Sequence, residues 1–204
     1  MNKIGFLLCN FLLMGGPVAH AATTCSYDKA ALLALDEEAF DQDPSGGWRT
    51  VAKTPGCELA AADLLNAYRT KHSKVSAVLA WHEGQLRAMA GQYERAIPLL
   101  NKDRKPPGQD PAGWNYYVDA TLAFLRHDKP ALLNARQQLA AVPYAEGMGL
   151  PPLKNGYFEI PGQPGHPATR MRWPPNIDVV DGLVACFGKS YSEADGKACR
   201  PPSP

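Results

Sequence analysis

The chain has 204 residues, with 21 Lys and Arg against 20 Asp and Glu, 19 Pro, 18 Gly and five Cys. This length suits one domain or a short run of helical repeats. The near-zero net charge argues against a nucleic-acid-binding protein, which carries a surplus of basic residues along one face.

Residues 1–21 have the features of a secretory signal peptide. Lys3 precedes an apolar stretch from Ile4 to Met14, and Ala19-His20-Ala21 resembles a cleavage site. We therefore expect cleavage after Ala21 and a periplasmic or secreted protein. The apolar stretch is too short to span a bilayer and no longer one follows, so we expect no membrane span. No lipobox precedes a cysteine, so we expect no lipoprotein.

Removal of the signal peptide leaves four cysteines, and an even number in an exported chain predicts two disulfides. Of the three possible pairings we favour the two local ones, Cys25 with Cys57 and Cys186 with Cys199. A zinc site is the alternative, but no Cys-x-x-Cys pair and no histidine at zinc-finger spacing is present. The sequence therefore predicts no metal and no other cofactor.

Apolar residues recur at helical spacing up to Pro143, which predicts an all-α fold. A first helix is predicted from Tyr27 to Phe40, with Ser26 as its N-cap. Together with five further helices it would form three helical hairpins, in a domain that covers residues 22–143. The further helices are predicted at residues 57–71, 74–90, 92–103, 112–127 and 129–142.

The last two hairpins repeat with an offset of 36 residues. This offset pairs the turn at Gly91 with the turn at His127, and it pairs Glu83 with Asp119. A recurring helical hairpin of this length is typical of a solenoid, in which each repeat packs against its neighbours.

Residues 84–100 resemble a tetratricopeptide repeat (TPR). In that pattern Gly84 lets the two helices approach, Gly91 ends the first helix, and Ala96 and Leu100 pack between them. The resemblance covers residues 57–143 and implies a short TPR-like α-α superhelix. It also implies a binding scaffold more often than an enzyme.

The resemblance further implies a set of ligand-binding residues. The positions that often line the concave surface of such repeats are held by Trp81, Gln85, Trp114, Tyr117 and Thr121. Glu83 and Asp119 replace a packing leucine, and Arg87 lies one helical turn after Glu83. These charged groups either form an ion-pair ladder between stacked repeats or face a groove and bind a ligand.

Residues 144–175 are rich in Pro and Gly, which excludes a regular helix. They also contain many apolar side chains, so we expect an ordered, extended segment packed on the repeats, placed to act as a lid. A last helix is predicted after Asn176, its N-cap. This helix belongs to a C-terminal segment of residues 176–204, and we expect it to cap the last hairpin. The disulfide between Cys186 and Cys199 would hold the end of the chain against it.

Motifs of common enzymes are absent. His82-Glu83 lacks the second histidine of a zinc protease, and no nucleophile elbow, phosphate loop or dinucleotide fingerprint is present. A group of acidic residues is interpreted as a solvated face rather than a glycosidase pair: Asp36, Glu37, Glu38, Asp41 and Asp43. The adjoining loop, residues 40–49, is either a second binding site or a turn closed by Trp48.

These features predict an exported soluble TPR-like protein that binds a peptide, protein or envelope ligand. One alternative is a periplasmic neutraliser of a toxin or enzyme. The other is a hydrolase directed at the cell wall. The oligomeric state is left open.

Overall fold

The computed structural model describes residues 25–144, 149–162 and 168–202. This part of the chain is mostly helical and contains a small two-stranded sheet, so the all-α class is confirmed in outline. The predicted signal peptide lies outside the described residues. Among the helices of the described part, none has the length and apolar character needed to cross a membrane.

The elements follow one another from an irregular N-terminal part, through four long helices and a short one, to a sheet and a C-terminal helical unit. The α-helices are α1 Lys29–Leu32, α2 Arg49–Ala52, α3 Glu58–Lys71, α4 Val78–Met89, α5 Tyr93–Leu100, α6 Trp114–Leu125, α7 Lys129–Ala140, α8 Ile177–Ala185 and α9 Tyr191–Ala194. Glu38–Gln42 forms a π-helical turn and Asn101–Asp103 a 3-10 turn. The predicted helices that correspond to α3 to α7 are confirmed within a few residues of their bounds.

The first predicted helix is wrong. α1 is only four residues long, and its N-cap is Asp28 rather than Ser26, because the Asp28 side chain accepts a hydrogen bond from the Ala31 N–H at 3.0 Å. The Asp36 side chain then accepts a hydrogen bond from the Ala39 N–H at 2.8 Å and starts a new turn. Local carboxylate bonds of this kind compete with continuation of a helix. Within the described residues, α3 is therefore followed by two complete hairpins and a C-terminal unit formed by α8 and α9, and the first of the three predicted hairpins lacks its first long helix.

The α4–α5 and α6–α7 hairpins repeat in register. Both ends of α6 lie 36 residues after those of α4, and α7 begins 36 residues after α5. At the turn between the paired helices, Gly91 and His127 both have left-handed backbone, with φ of 77° and 56°. The predicted 36-residue period is therefore confirmed in the backbone.

The C-terminal unit packs on these hairpins. α8 contacts both α6 and α7, as predicted for a helix that caps the last hairpin, and α9 contacts α4 and α8. Asn176 does precede α8, but it has a left-handed φ of 64° and its side chain makes no capping hydrogen bond. Asn176 is therefore the N-cap residue of α8 as predicted, but its side chain does not cap the helix.

Both predicted disulfides are confirmed. Cys25 is bonded to Cys57 near the N-terminal end of α3, and Cys186 is bonded to Cys199 after α8. Two disulfides are compatible with an extracellular or periplasmic location, because the cytosol keeps most thiols reduced.

The Pro- and Gly-rich segment forms a β-hairpin that was not predicted. β1 Tyr157–Ile160 pairs antiparallel with β2 Thr169–Arg172. The indole N–H of Trp173 donates a hydrogen bond to the Val142 carbonyl at 3.0 Å, which attaches the end of the segment to the chain just after α7. The described part of the segment thus contacts the helical part of the chain, and its extended residues are paired as two strands.

Candidate functional site

Most of the aromatic side chains predicted to bind a ligand lie in the core. The exposed fraction is 2% for Trp81, 4% for Tyr117 and 0% for Thr121. The Trp81 ring packs against the rings of Trp114 and Tyr117, with centroid distances of 4.8 Å and 5.2 Å. The same apolar cluster contains Tyr191 of α9. These rings therefore hold the hairpins and the C-terminal unit together.

The C-terminal unit covers this part of the repeats. The backbone N–H of Tyr191 donates a hydrogen bond to the Tyr93 hydroxyl at 2.9 Å, across 98 positions of sequence. Burial raises the pKa of the Tyr117 and Tyr191 hydroxyls, since a phenolate would be poorly solvated there. Gln85 and Trp114 are half-buried. The observed role of Trp81, Trp114 and Tyr117 is packing, and a ligand role for these side chains and for Gln85 and Thr121 stays a prediction.

Glu83 and Arg87 form the ion-pair network that was one of the two predicted alternatives. Their exposed fractions are 2% and 1%, and Arg87 Nε donates to Glu83 Oε1 at 2.7 Å. The remaining guanidinium N–H groups donate to Gln92 Oε1 at 3.1 Å and Asp63 Oδ1 at 3.0 Å. Arg69 of α3 donates to the other oxygen of Glu83. Helix α3 thus contributes Arg69 and Asp63 to this network, in which Glu83 and Arg87 are buried and Asp63 is 66% exposed.

Asp119 occupies the position equivalent to Glu83 in the next hairpin, but it is open to solvent. Its side chain is 46% exposed and accepts a hydrogen bond from Arg104 at 2.5 Å. Ala123 stands where the first hairpin has Arg87. A cavity of 220 Å³ lies at this point between α6 and α7, lined by Asp119, Ala123, Arg126, Asp128, Ala131, Asn134, Ala135 and Gln138.

Two further cavities continue this one along the last hairpin. A cavity of 490 Å³ shares Gln138 with the first and extends over Tyr116 and Val142 to Pro143. A cavity of 460 Å³ shares Tyr116 with the second and reaches the loop at Pro107. Together the three cavities define what we call the α6–α7 groove. Of the predicted ligand-binding residues, Asp119 lies in it.

A second organised polar cluster joins the N-terminal loop to α4. The Asp41 carboxylate is fully buried and accepts hydrogen bonds from Trp48 Nε1 at 2.8 Å and Gln42 Nε2 at 2.6 Å, and His82 Nδ1 lies 2.7 Å from it. The Arg49 guanidinium stacks over the Trp48 ring, 4.3 Å from the ring centroid. The interpretation of this loop as a turn closed by Trp48 is confirmed. The interpretation of Asp41 as part of a solvated face is wrong.

Neighbouring acidic residues have main-chain partners. Glu37 accepts a hydrogen bond from the Ser76 N–H at 3.0 Å, and Asp43 accepts one from the Ser45 N–H at 2.8 Å. With the Asp36 cap described above, these contacts fix the path of the N-terminal loop. The carboxylates thereby have a structural role that the sequence pattern did not indicate.

No protein-family model, curated protein or solved structure matches the chain. The assignment of a function therefore depends on the residues of this chain alone.

Sequence reasoning missed most of the α6–α7 groove. The 36-residue offset indicates Asp119 through its pairing with Glu83. The same offset pairs Arg87 with Ala123, where a long charged side chain is replaced by a methyl group. A loss of side-chain volume at one position of a repeat is a signal for a cavity.

Proposed function

We propose that the protein is an exported binding protein whose TPR-like helical array recognises a segment of a peptide or protein. The observation that supports this function best is the α6–α7 groove, because three adjoining cavities run along one hairpin. The two disulfides support export.

The shape and lining of the groove suit an extended polypeptide segment. α7 has 12 residues, and at about 1.5 Å per residue this corresponds to about 18 Å, the length of five or six extended residues. Tyr116, Pro107 and Val142 offer apolar contacts. The amides of Asn134 and Gln138 offer donors and acceptors that match a peptide main chain.

The experiment is affinity capture from an envelope extract under oxidising conditions, followed by mass spectrometry and measurement of affinity for the captured species. Two neighbouring glutamines of α7 provide a matched pair of variants. Gln138 lines two cavities of the groove, whereas Gln137 is exposed and lines neither. We expect Q138W to block the groove and abolish capture, and Q137W to capture as the wild type does.

Each outcome of the capture has a different meaning. Weak binding of many peptides that Q138W abolishes supports a peptide-binding scaffold. One protein bound tightly at a ratio of one to one, with the same dependence on position 138, supports the alternative of a neutraliser. Equal capture by Q138W and Q137W, or no capture by the wild type, overturns the proposed function.

A further inference from the structure

We infer that the cavity at Asp119, Ala123 and Asp128 is a receptor for an arginine side chain of the bound partner. This inference rests on the proposed function, since it names one chemical group of the recognised segment. It is carried by the preceding hairpin, which holds an arginine of the chain itself at the equivalent place.

The two places are equivalent in the backbone as well as in sequence number. The Gln92 N–H donates to the Arg87 carbonyl at 2.8 Å, and the Asp128 N–H donates to the Ala123 carbonyl at 2.9 Å. The residue that begins the next helical turn is bonded in the same way, Ala96 to Gln92 and Leu132 to Asp128, both at 3.0 Å. The environment of Arg87 is therefore a template for the cavity beside Ala123.

In the template, the Arg87 guanidinium lies between an acid and an amide of the two helices. It donates to Glu83 on α4 and to Gln92 at the start of α5. The equivalent residues around the cavity are Asp119 and Asp128. At the cavity, the amide of the template is thus replaced by a second carboxylate, which favours a cation more strongly.

The fixed charges around the two places are alike. Around Arg87, two carboxylates, Asp63 and Glu83, are opposed by Arg69 and Arg95. Around the cavity, two carboxylates are opposed by two arginines, Arg104 and Arg126. In the first hairpin this balance accommodates one additional guanidinium, that of Arg87.

Both carboxylates of the cavity keep capacity to accept more hydrogen bonds. Asp119 Oδ1 accepts from Arg104, and Asp128 Oδ1 accepts from the Ala131 N–H at 3.0 Å as the N-cap of α7. Each carboxylate has two oxygens with two lone pairs each. The amides of Asn134 and Gln138 line the same cavity. A planar fork of five N–H donors satisfies such a set better than an ammonium group does.

The first test uses small probes of equal shape and different charge. We would titrate the purified, oxidised protein with N-acetyl-arginine amide and, as a control, with N-acetyl-citrulline amide, and follow backbone amide chemical shifts. We expect saturable shifts at residues 119, 123, 128 and 134 with the arginine probe only. The D119N/D128N variant should bind that probe at least ten-fold more weakly. Equal shifts with citrulline, or shifts centred on other residues, overturn the inference.

The second test places the template's own side chain in the cavity. A123R should fold, keep its helical circular dichroism and lose saturable binding of the arginine probe, while the uncharged control A123Q should be less stable than A123R. D119N should lower the melting temperature of A123R more than that of the wild type. The inference is overturned if D119N lowers both melting temperatures equally. If A123R does not fold, the D119N/D128N comparison decides.

The two proposals fail in different ways. Capture that depends on Gln138 but is unchanged in D119N/D128N leaves the proposed function standing and removes the arginine receptor. Saturable binding of the arginine probe without any captured partner keeps the receptor and removes the support for a peptide or protein ligand.

Discussion

The α4–α5 and α6–α7 hairpins have the same backbone at their turns and differ in what lies between their helices. In the first, Arg87 extends between an acid of α4 and an amide of α5 and is 1% exposed. In the second, Ala123 leaves a cavity with two carboxylates in its wall. One position of a repeat can therefore be filled by a side chain or left as a cavity, depending on the size of a single residue.

The neighbouring helix adds to this difference. α3 has 14 residues and brings Arg69 over Glu83. α5, which stands in the same relation to α6, has eight residues, and its continuation supplies Arg104 from an irregular segment. The long helix α3 covers Glu83, whose side chain is 3% exposed, whereas the short helix α5 leaves the Asp119 side chain 46% exposed.

The largest effect should come from removing the Arg87 guanidinium in the α4–α5 hairpin. R87A leaves buried Glu83 with one cationic partner and creates a cavity, so we expect the free energy of unfolding to fall by about 4 kcal/mol. Urea unfolding followed by circular dichroism measures it. The double variant E83Q/R87M should recover part of the loss, because no buried charge is left. If R87A lowers the free energy of unfolding by less than about 1 kcal/mol, then Glu83 and Arg87 are not buried in solution.

A somewhat smaller effect should follow from cutting the disulfide of the C-terminal unit. Cys186 and Cys199 are 13 positions apart in the sequence, and C186S/C199S should destabilise the protein by about 3 kcal/mol through the loss of loop-closure entropy. Because α8 packs on α6 and α7, amide hydrogen exchange should rise more in the α6–α7 hairpin than in α3. Equal rises in both would show that the two regions unfold as one unit.

Gly84 and Ala120 occupy equivalent positions in the two hairpins. A Cβ at Gly84 would lie 2.8 Å from Leu100 Cγ, whereas Ala120 already carries one in the second hairpin. We expect G84A to lower the free energy of unfolding by about 2 kcal/mol through overpacking. Urea unfolding measures this loss, and an unchanged stability of G84A would mean that α4 and α5 are not closely packed.

The N-terminal loop around Asp41, which contacts α4 through His82, should be weakened by acid. Burial alone would raise the pKa of Asp41, but the bond to His82, the bond to Trp48 and the charge of Arg49 hold it below 3.8. A carboxyl with a lowered pKa in the folded state contributes stability above its unfolded pKa and loses it as the pH falls through the folded value. Urea titrations above and below pH 3.8 should therefore show a larger loss for the wild type than for D41N. Parallel losses would contradict this assignment.

The smallest effect on stability is expected at Asp119, the exposed position of the α6–α7 hairpin. Asp119 and Arg104 form an exposed pair, so D119N should change the free energy of unfolding by less than about 1 kcal/mol. Urea unfolding next to R87A provides the contrast. A loss of unfolding free energy comparable to that of R87A would show that Asp119 is buried in solution.

The part of the fold that sequence predicts is the part held by local spacing. Apolar periodicity located α3 to α7, and cysteine separation located both disulfides. The first helix was mispredicted because the side chains of Asp28 and Asp36 bond to nearby main-chain N–H groups, an interaction that periodicity does not report. The β-hairpin was missed because its strands have four residues each in a segment rich in turn formers.

The candidate site was predicted less well, because the contacts that bury its residues join parts of the chain that are far apart in the sequence. The position of Trp81 on a repeat helix could be predicted, but its burial depends on packing among distant elements, including α9. The contact that anchors α9 joins Tyr93 to Tyr191, and no spacing rule relates these residues. Conversely, the 36-residue offset contained the information about Ala123, because an internal repeat compares the chain with itself.

The position of α8 has a consequence for how this architecture can change. Because α8 occupies the faces of α6 and α7 against which another hairpin would stack, a duplicated repeat could not be appended after α7 without displacing it. Lengthening by duplication would have to occur between existing hairpins, and each such insertion would move α9 away from α4. The evolutionary freedom to gain length, which open arrays of repeats possess, is therefore restricted here by the contacts that stabilise the end of the array.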